Sequence, residues 1–430
     1  MGNRIGRRVG IVAGLRTPFV KAGTVFKNLS ALELGRIVTA ELVQRSGVAP
    51  KEIDQVVFGT VIHHVSVANI AREISLAAGL PKSSEAYTVS RACATSLQAL
   101  TSAADSIAVG TVDTALVGGV ESMTDVPITL SRPLAQAMVL ASKGKTVVDK
   151  LKAFSSITAK DVLPVPPAIA EYSTGQSMGE SAEKMAKENG ISREAQDVFA
   201  NRSHTRAAKA WADGTFAQEV MHVLVPPKYE PVAEDNTFRK DSTLEGYARL
   251  KPVFDRKYGT VTAGNSSPLT DGASALIVMA EEKAQALGLK PLGYLRSYAY
   301  AGVDPAGQLL SAPGFAVPKA MARAGLKFAD VDLFEVHEAF AAQVLSNLQA
   351  WASRDFAKKN LGGAEPLGEV PDEKLNVHGG SLSLGHPFAA TGGRMVTQAL
   401  RELQRTGKQT ALLSICAAGG LGAAMVLERE

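Results

Sequence analysis

Part of the sequence pattern occurs twice, and this repeat restricts the fold more than any other feature. In each half a helical stretch ends at a glycine, Gly47 or Gly325, and an aspartate, Asp54 or Asp332, follows shortly before an apolar run. Both pairs are separated by 278 positions in the chain. A pattern repeated over such a distance indicates a duplicated structural unit.

The repeat continues through a helix and a strand in each half. A helix after Cys93 stops at Gly110 and the strand "TALVGG" follows, while a helix after His386 stops at Gly407 and is followed by "TALLSI", which ends at Cys416. Apolar residues recur at spacings of three and four in both helices. Short apolar strands that alternate with amphipathic helices predict an α/β fold, with a buried sheet in each half and the two halves packed together.

Residues 129–247 have no counterpart in the repeat, and they include the proline-rich run "VLPVPPAIAEYS". We therefore predict an N-terminal half formed by 1–128 plus 248–288, an inserted loop domain at 129–247 and a C-terminal half at 289–430. A chain of 430 residues has room for about three such units.

The segment 132–160 inside this insertion is strongly basic. It contains six basic residues and one acidic residue, Asp149, and three of its apolar side chains fall on one side of a helix. Such a segment could meet a membrane surface or an acidic partner, and a solvated helix is the alternative. The cations are Arg132, Lys143, Lys145, Lys150, Lys152 and Lys160, and the apolar residues are Val147, Leu151 and Phe154.

Charge and cysteine content exclude several classes of protein. The net charge of +4, from 46 basic and 42 acidic residues, is too small to indicate a nucleic-acid partner. The two cysteines lie far apart without metal-type spacing, which argues against a disulfide framework or a zinc site and favours a reducing cytoplasm. Arg16 and Pro18 interrupt the first apolar stretch, and no run reaches membrane-spanning length, so neither export nor membrane insertion is expected.

Four side chains fall at strand ends or helix starts on equivalent edges of the two halves. Cys93 precedes a helix, whose dipole favours an anion and should lower the pKa of a thiol, and this is typical of a nucleophile. His386 precedes the equivalent helix, so a pseudo-twofold would bring a base to the thiol. His337 in "VHEAF" ends a strand, and Cys416 precedes the glycine-rich "AAGGLG", whose N–H groups could bind an oxyanion.

Each of these residues has an ordinary structural alternative. An inert buried thiol is the simplest interpretation of a single cysteine, and a surface or core role is expected for His63, His64, His204 and His222. His378 in "NVHGG" is left undecided. The joint placement of two cysteines and two histidines favours a catalytic site.

Sequence motifs along essentially the whole chain resemble those of thiolases. They are "RTPF", "CATS", "MGESAEKMA", "GTVTAGNSSPLTDGASA", "HEAFAAQ", "NVHGGSLSLGHPFAATGGR" and "CAAGGLGAAM". The resemblance implies the α/β thiolase fold, with duplicated α/β/α halves in a five-layer αβαβα arrangement and an inserted loop domain. Within the family the chain most resembles the thiolase subunits of bacterial fatty-acid oxidation complexes and of the mitochondrial trifunctional protein.

The resemblance also implies roles for the site residues. Cys93 matches the acyl-accepting nucleophile, His386 the histidine that takes its proton, and Cys416 the acid/base cysteine. His337 stands where most thiolases carry an asparagine that holds a water, which leaves open whether its ring holds a water or donates directly. The backbone N–H groups of Cys93 and Ala418 match the second oxyanion hole, although most relatives carry glycine at the latter position.

Further positions match contacts to the coenzyme A substrate. Ser267 resembles a serine beside the pantetheine arm, Arg239 a basic residue near the nucleotide, and Met178 and Phe340 the apolar walls around the acyl and thioester groups. No metal or redox cofactor is implied.

The implied activity is that of a 3-ketoacyl-CoA thiolase, an acetyl-CoA C-acyltransferase of fatty-acid β-oxidation. It cleaves a 3-oxoacyl-CoA with CoA to acetyl-CoA and an acyl-CoA shortened by two carbons. The alternatives are an acetoacetyl-CoA-type condensing enzyme, a ketoacyl synthase using Cys93, His337 and His386, and an inactive structural subunit. Cys416 argues against the synthase, which has no use for a second thiol. Relatives imply a homodimer through the N-terminal halves, and a larger complex with an enoyl-CoA hydratase/3-hydroxyacyl-CoA dehydrogenase subunit.

Overall fold

The computed structural model describes residues 6–165, 170–363 and 365–430. Within them the chain forms twelve strands and fourteen α-helices. The strands are β1 (Val9–Arg16), β2 (Val20–Lys21), β3 (Gln55–Gly59), β4 (Glu85–Val89), β5 (Thr114–Glu121), β6 (Val223–Val225), β7 (Glu230–Val232), β8 (Thr270–Ala280), β9 (Gly293–Gly302), β10 (Leu333–Val336), β11 (Thr410–Ala417) and β12 (Leu421–Glu428).

The helices alternate with these strands along most of the chain. They are α1 (Ala31–Ser46), α2 (Ile70–Ala77), α3 (Thr95–Ala108), α4 (Arg132–Lys143), α5 (Val147–Lys152), α6 (Met178–Glu188), α7 (Arg193–Ala212), α8 (Leu244–Ala248), α9 (Glu281–Ala286), α10 (Pro313–Ala324), α11 (Ala341–Ala352), α12 (Arg354–Phe356), α13 (Ser381–Leu384) and α14 (Thr391–Thr406).

Packing divides the chain into two compact units. The smaller unit consists of Ile62–Ala68 and Val126–Ile169, and the larger unit takes the remainder, including everything from Ala170 onwards. The boundaries expected from the repeat are different, because they place 170–247 in the insertion. A repeat and a packing unit are different properties of a chain, so those boundaries stay a prediction.

The sheet of the larger unit has the same strand order in both halves. Its order is β10-β11-β12-β9-β1-β8-β5-β3-β4, with β2 paired to β8. The strands β3, β5, β8 and β1 therefore correspond to β10, β11, β12 and β9, with one parallel and two antiparallel pairings in each set. The halves join where β1 pairs with β9. This mirrored order is the one that a duplicated unit related by a pseudo-twofold produces.

The repeated glycine and aspartate have equivalent structural roles. Gly47 and Gly325 follow α1 and α10 with left-handed φ values of 73° and 66°, which glycine adopts without a steric penalty. Asp54 accepts two backbone N–H groups at the start of β5, both at 3.0 Å. Asp332 does the same at the start of β11, at 3.0 and 3.1 Å. Each aspartate thus holds two neighbouring parallel strands of its half in register.

The larger unit is built in five layers. Helices α3 and α14 share one core with strands of both halves, which places them in the central layer. Helices α1 and α2 cover the strands of the first half, and α10 covers β9 and β12 of the second. The two halves of the continuous sheet form two of these layers, and the order helix, half-sheet, helix, half-sheet, helix confirms the predicted α/β arrangement. Side chains of the central core include Leu97, Leu100, Val117, Leu276, Met395, Leu400, Leu413 and Met425.

The smaller unit contains α4 and α5, which contact each other. Ser131 and Thr146 cap their N-termini, and Thr129 pairs with Val165. Several large apolar side chains on these helices are exposed: Met138, Val139, Leu140, Val147, Val148 and Leu151. In the part of the chain that is described, no helix has the length and apolar character needed to cross a bilayer.

Candidate active site

A tight turn between β4 and α3 presents Cys93. Ala92 in this turn has φ +44°, a conformation that costs a residue other than glycine about 1–3 kcal/mol. The hydroxyl of Thr95 compensates for part of this strain, since it accepts from the N–H of Arg91 at 2.8 Å and donates to the carbonyl of Ala92 at 2.7 Å. The thiol is thereby placed directly before the first turn of α3.

His386 comes from the second half and meets this thiol. Its Nε2 lies 3.1 Å from Sγ of Cys93, and its Nδ1 lies 2.6 Å from the hydroxyl of Thr391 at the start of α14. The backbone N–H of Gly393 donates to the hydroxyl of Ser96 at 2.8 Å. The expectation that the two helix starts approach each other is confirmed.

The approach requires two glycines at the start of α14. A Cβ added at Gly392 would lie 2.9 Å from a side-chain carbon of Leu97, and one at Gly393 would lie 2.3 Å from the hydroxyl of Ser274. Both distances are shorter than real Cβ contacts. The glycines in "ATGGR" therefore serve close packing between the halves.

His337 follows β10 and is fully buried. Its ring centroid is 4.1 Å from that of His386, and its Nδ1 lies 2.8 Å from the hydroxyl of Ser381. The other ring nitrogen, Nε2, is buried and has no hydrogen-bond partner among the described residues. Such a buried polar atom is costly unless a ligand pairs with it.

Cys416 lies near the end of β11, and it is buried among apolar side chains together with Met178 and Phe340. Burial, together with the neighbouring Cys93, raises the pKa of the Cys416 thiol well above its ordinary value. The backbone N–H of Ala418, just beyond the strand, favours the thiolate form of Cys93 and so acts to lower the pKa of that thiol. One end of the site is therefore an apolar wall with a thiol and a backbone donor.

The resting site is electrically neutral at its reactive groups. Loss of solvent raises the pKa of Cys93 to about 12, although the N–H groups of Ala418 and of Cys93 itself act in the opposite direction. Burial, and then the charge of Arg394, lowers the pKa of His386 to about 3. Burial, His386 and Arg394 hold the pKa of His337 well below its usual range.

The expectation that the helix start would lower the pKa of Cys93 is therefore wrong. The helix dipole and the two N–H groups favour the thiolate, but desolvation outweighs them. Cys93 and His386 form a neutral hydrogen-bonded pair, so the thiol ionises only as its proton passes to the imidazole.

The expected coenzyme A contacts occupy different positions. Ser267 is partly exposed, and its backbone N–H donates at 2.9 Å to the carbonyl of Ala339, next to Phe340. Met178 is the first residue of α6 and packs against the apolar cluster that contains Cys416. Arg239 is exposed. Ser267, Met178 and Phe340 thus belong to the surroundings of the thiols, whereas Arg239 lies at the surface.

The remaining histidines are not part of the thiol cluster. His378 pairs with Glu402 at 2.8 Å, and His204 is buried with its Nδ1 accepting from the N–H of Arg239. His63, His64 and His222 are exposed or partly exposed.

Sequence reasoning missed three residues that contact the reactive histidines or their partners: Ser381, Thr391 and Arg394. The two hydroxyls lie five positions before and five after His386, inside a motif in which His386 alone was assigned a catalytic role. A search for hydroxyl partners of each imidazole within that motif could have found them. Arg394 has no such signal, because an arginine inside a helix is usually a surface residue.

Three side chains of the cluster lie close enough together to hold a metal ion by geometry. Within the described ranges, Cys93, His337 and His386 form the group of ligand-type side chains close enough for this, with one atom from each lying within 4.8 Å of the others.

The duplicated five-layer fold holds a cysteine–histidine pair between its halves and a second thiol beside it, an arrangement typical of enzymes that use a cysteine nucleophile. Residues 9–282 match the family model for the thiolase N-terminal domain, and residues 289–429 match the model for the thiolase C-terminal domain. The chain belongs to the thiolase family.

Curated relatives and solved structures agree with this assignment. The chain is 53% identical to a 3-ketoacyl-CoA thiolase of Yersinia enterocolitica and 52% identical to one of Photobacterium profundum, in each case over 99% of this chain and 98% of the relative. An acetyl-CoA acetyltransferase of Bacillus anthracis superimposes with a TM-score of 0.86 at 33% identity, covering 100% of both chains. The human mitochondrial 3-ketoacyl-CoA thiolase gives 0.84 at 31% identity, covering 98% of this chain and 99% of that one.

The hydroxyl of Thr391 should orient His386. In Thr391→Val we expect alkylation of Cys93 by iodoacetamide to slow about tenfold, because a net hydrogen bond of ~1.4 kcal/mol corresponds to that factor. Thr397→Val is the matched control, since this buried hydroxyl of the same helix donates to the carbonyl of Gly393 instead. Equal alkylation rates in the two variants would show that Thr391 does not act on the histidine.

Proposed function

We propose that the chain cleaves 3-oxoacyl-CoA with CoA, releasing acetyl-CoA and an acyl-CoA shortened by two carbons, as a 3-ketoacyl-CoA thiolase of fatty-acid β-oxidation. The observation that carries the proposal is the 3.1 Å contact between Sγ of Cys93 and Nε2 of His386, with Cys416 in the adjoining apolar wall. The names of relatives at 52–53% identity support the substrate class.

The first half-reaction forms an acyl-enzyme. The proton of Cys93 passes to Nε2 of His386 while Sγ bonds to C3 of the substrate, and the C2–C3 bond breaks. Its electron pair becomes the enolate of acetyl-CoA, whose oxygen is stabilised by hydrogen bonds from His386 and His337. The thiol of Cys416 then protonates C2, and acetyl-CoA leaves.

The second half-reaction returns the enzyme to its resting state. The Cys416 thiolate takes the proton of a CoA thiol, and the CoA sulfur attacks the thioester on Cys93. The carbonyl oxygen of that thioester is held by the backbone N–H groups of Cys93 and Ala418. The Cys93 sulfur leaves and recovers its proton from His386. Cys93 thus recovers its own proton, and Cys416 ends with the proton of CoA in place of the one it gave to C2.

Contacts to coenzyme A follow the same scheme. Met178 and Phe340 line the acyl and thioester groups, Ser267 lies beside the pantetheine arm and Arg239 approaches the nucleotide. The exposed position of Arg239 is compatible with an anionic group that arrives from solvent.

The same residues also catalyse the reverse condensation, so an acetoacetyl-CoA-type synthetic role remains the second candidate. A decarboxylating synthase is disfavoured because Cys416 would have no function there. An inactive subunit is disfavoured because Cys93, His386, His337 and Cys416 are all present and clustered.

Replacing each thiol by serine separates the two proposed roles. We expect Cys93→Ser to form no acyl-enzyme, because burial lowers the pKa of His386 to about 3 and leaves it too weak a base to ionise a serine hydroxyl. Cys416→Ser should keep a Cys93 that reacts with an alkylating agent, while turnover falls by about 10²- to 10⁴-fold, as for the loss of a general acid/base. Loss of 3-oxoacyl-CoA enolate absorbance measures turnover. Normal turnover in Cys416→Ser would refute the two-cysteine mechanism.

We further propose that the active form is at least a homodimer that joins a larger complex with a hydratase/dehydrogenase subunit. Two free thiols with catalytic roles suit a reducing compartment such as the cytoplasm. Light scattering of the purified protein should give at least twice the mass of one chain. A stable, active monomer would contradict the assembly.

The smaller unit supplies a candidate docking surface for an anionic bilayer. Exposed apolar side chains on α4 and α5 accompany the lysines of the same helices and their connection, which is the composition of an interfacial segment. This surface is a separate proposal from catalysis, since none of its residues belongs to the catalytic set.

Charge reversal at this surface tests it. One variant carries all four substitutions, Lys143→Glu, Lys145→Glu, Lys150→Glu and Lys152→Glu. We expect it to bind vesicles containing phosphatidylglycerol at least tenfold more weakly, because each lysine near such a surface contributes ~1 kcal/mol. Thiolysis of a short substrate should be nearly unchanged, and neutral phosphatidylcholine vesicles are the control. Unchanged vesicle binding would reject the bilayer as the target of this surface. Loss of association with an acidic partner subunit in place of vesicle binding would reject it as well.

A further inference from the structure

We infer that Ser381 and Arg394 are positioning residues that hold His337 in one tautomer, so that its Nε2–H donates directly to the enolate oxygen without an intervening water. The inference rests on the proposed function and extends it to residues outside the reacting set.

The three side chains form a buried chain of hydrogen bonds. Nη2 of Arg394 lies 3.2 Å from the hydroxyl of Ser381, and that hydroxyl lies 2.8 Å from Nδ1 of His337. Arg394 is held in turn by Glu335, with 3.5 Å between Nη1 and a carboxylate oxygen. All four side chains are at most 1% exposed, so water does not compete for these contacts.

The direction of each proton in this chain follows from the chemistry of the end group. A guanidinium only donates, so the hydroxyl oxygen of Ser381 accepts from Arg394. The hydroxyl proton then needs an acceptor, and among the described residues the one within reach is Nδ1 of His337. The reverse assignment would bury a hydroxyl proton without a partner, at a cost of about 1–3 kcal/mol.

This assignment decides the state of the other ring nitrogen. If Nδ1 accepts, the single proton of the neutral imidazole of His337 is on Nε2. That nitrogen is buried and unpaired among the described residues, so Nε2–H is a donor available to an oxygen of the substrate. Its alignment before substrate arrives is the kind of electrostatic preorganisation that stabilises a developing oxyanion.

His386 holds the opposite tautomer. Its Nε2 faces the thiol of Cys93 and must accept, so its Nδ1–H donates to Thr391. Once the thiol proton has moved, His386 also carries a proton on Nε2, and two Nε2–H donors serve the enolate oxygen. The oxyanion site is thus complete only after the nucleophile has ionised.

The same tautomer disfavours the metal site that geometry allows. A metal-bound imidazole nitrogen must be free of its proton. With Nε2 of His337 protonated, the three-residue cluster offers two ligands at most, and Nδ1 of His337 is already used by Ser381.

Removing the hydroxyl in Ser381→Ala should affect one chemical step and spare another. Cleavage of 3-oxoacyl-CoA needs the enolate donor, so we expect it to fall by about 10- to 100-fold, less than the ~10²–10³ for complete loss of an oxyanion donor. Exchange of labelled CoA into acetyl-CoA needs Cys93, His386, Cys416 and the backbone N–H groups but no enolate. We expect exchange to stay within about twofold of wild type.

Ser383→Ala is the matched control for this experiment. Ser383 is a buried serine of the same short helix α13, but its hydroxyl contacts Ser203 and the carbonyl of Gly380. It should retain both reactions. The inference is overturned if Ser381→Ala cleaves as fast as the wild type, or if cleavage and exchange fall equally in that variant. It is also overturned if Ser383→Ala loses cleavage while it keeps exchange.

The tautomer can also be read in the wild-type enzyme, so this second test does not depend on the folding of Ser381→Ala. In nitrogen NMR of the histidine-labelled resting protein, with His337 assigned by its loss in His337→Asn, we expect a protonated Nε2 and an unprotonated Nδ1. A protonated Nδ1 would overturn the inference. A wild-type enzyme with neither cleavage nor exchange would instead refute the proposed function, and the NMR result would still decide the tautomer.

Discussion

The close contact between the starts of α3 and α14 is the constraint on which the site depends. Cys93 and His386 are 293 positions apart in the chain. They meet where the N–H of Gly393 donates to Ser96, and this approach needs a glycine because a Cβ at that position would clash with Ser274. The pseudo-twofold of the duplicated halves brings these helix starts together. The central helical layer therefore serves both as the core of the protein and as the frame of its active site.

Burial of the reactive groups has a chemical consequence. Desolvation keeps both thiols protonated and both imidazoles neutral, so none of the four reactive groups is charged before substrate binds. A neutral site is less costly to bury than separated charges would be. In the proposed reaction protons move along hydrogen bonds, so the orientation of each donor and acceptor matters more than the intrinsic acidity of any one residue.

Much of the fold could be predicted from particular residues. Gly47, Gly325 and the two aspartates after them indicated a duplicated unit, and each has the same cap or register role in both halves. The pairing of Cys93 with His386 also followed from equivalent positions. The pKa of Cys93 was predicted in the wrong direction, because sequence shows that a residue precedes a helix but not how much solvent the surrounding chain removes.

The sequence by itself determined the duplication, the alternation of strands and helices, and which side chains carry reactive groups, since these depend on local pattern and residue type. Only the tertiary structure decided that Ser381 and Arg394 reach His337, that Thr391 reaches His386, and that all of them are shielded from water. The physical reason is that hydrogen-bond direction and desolvation depend on neighbours contributed by distant segments, and a linear pattern does not specify those distances.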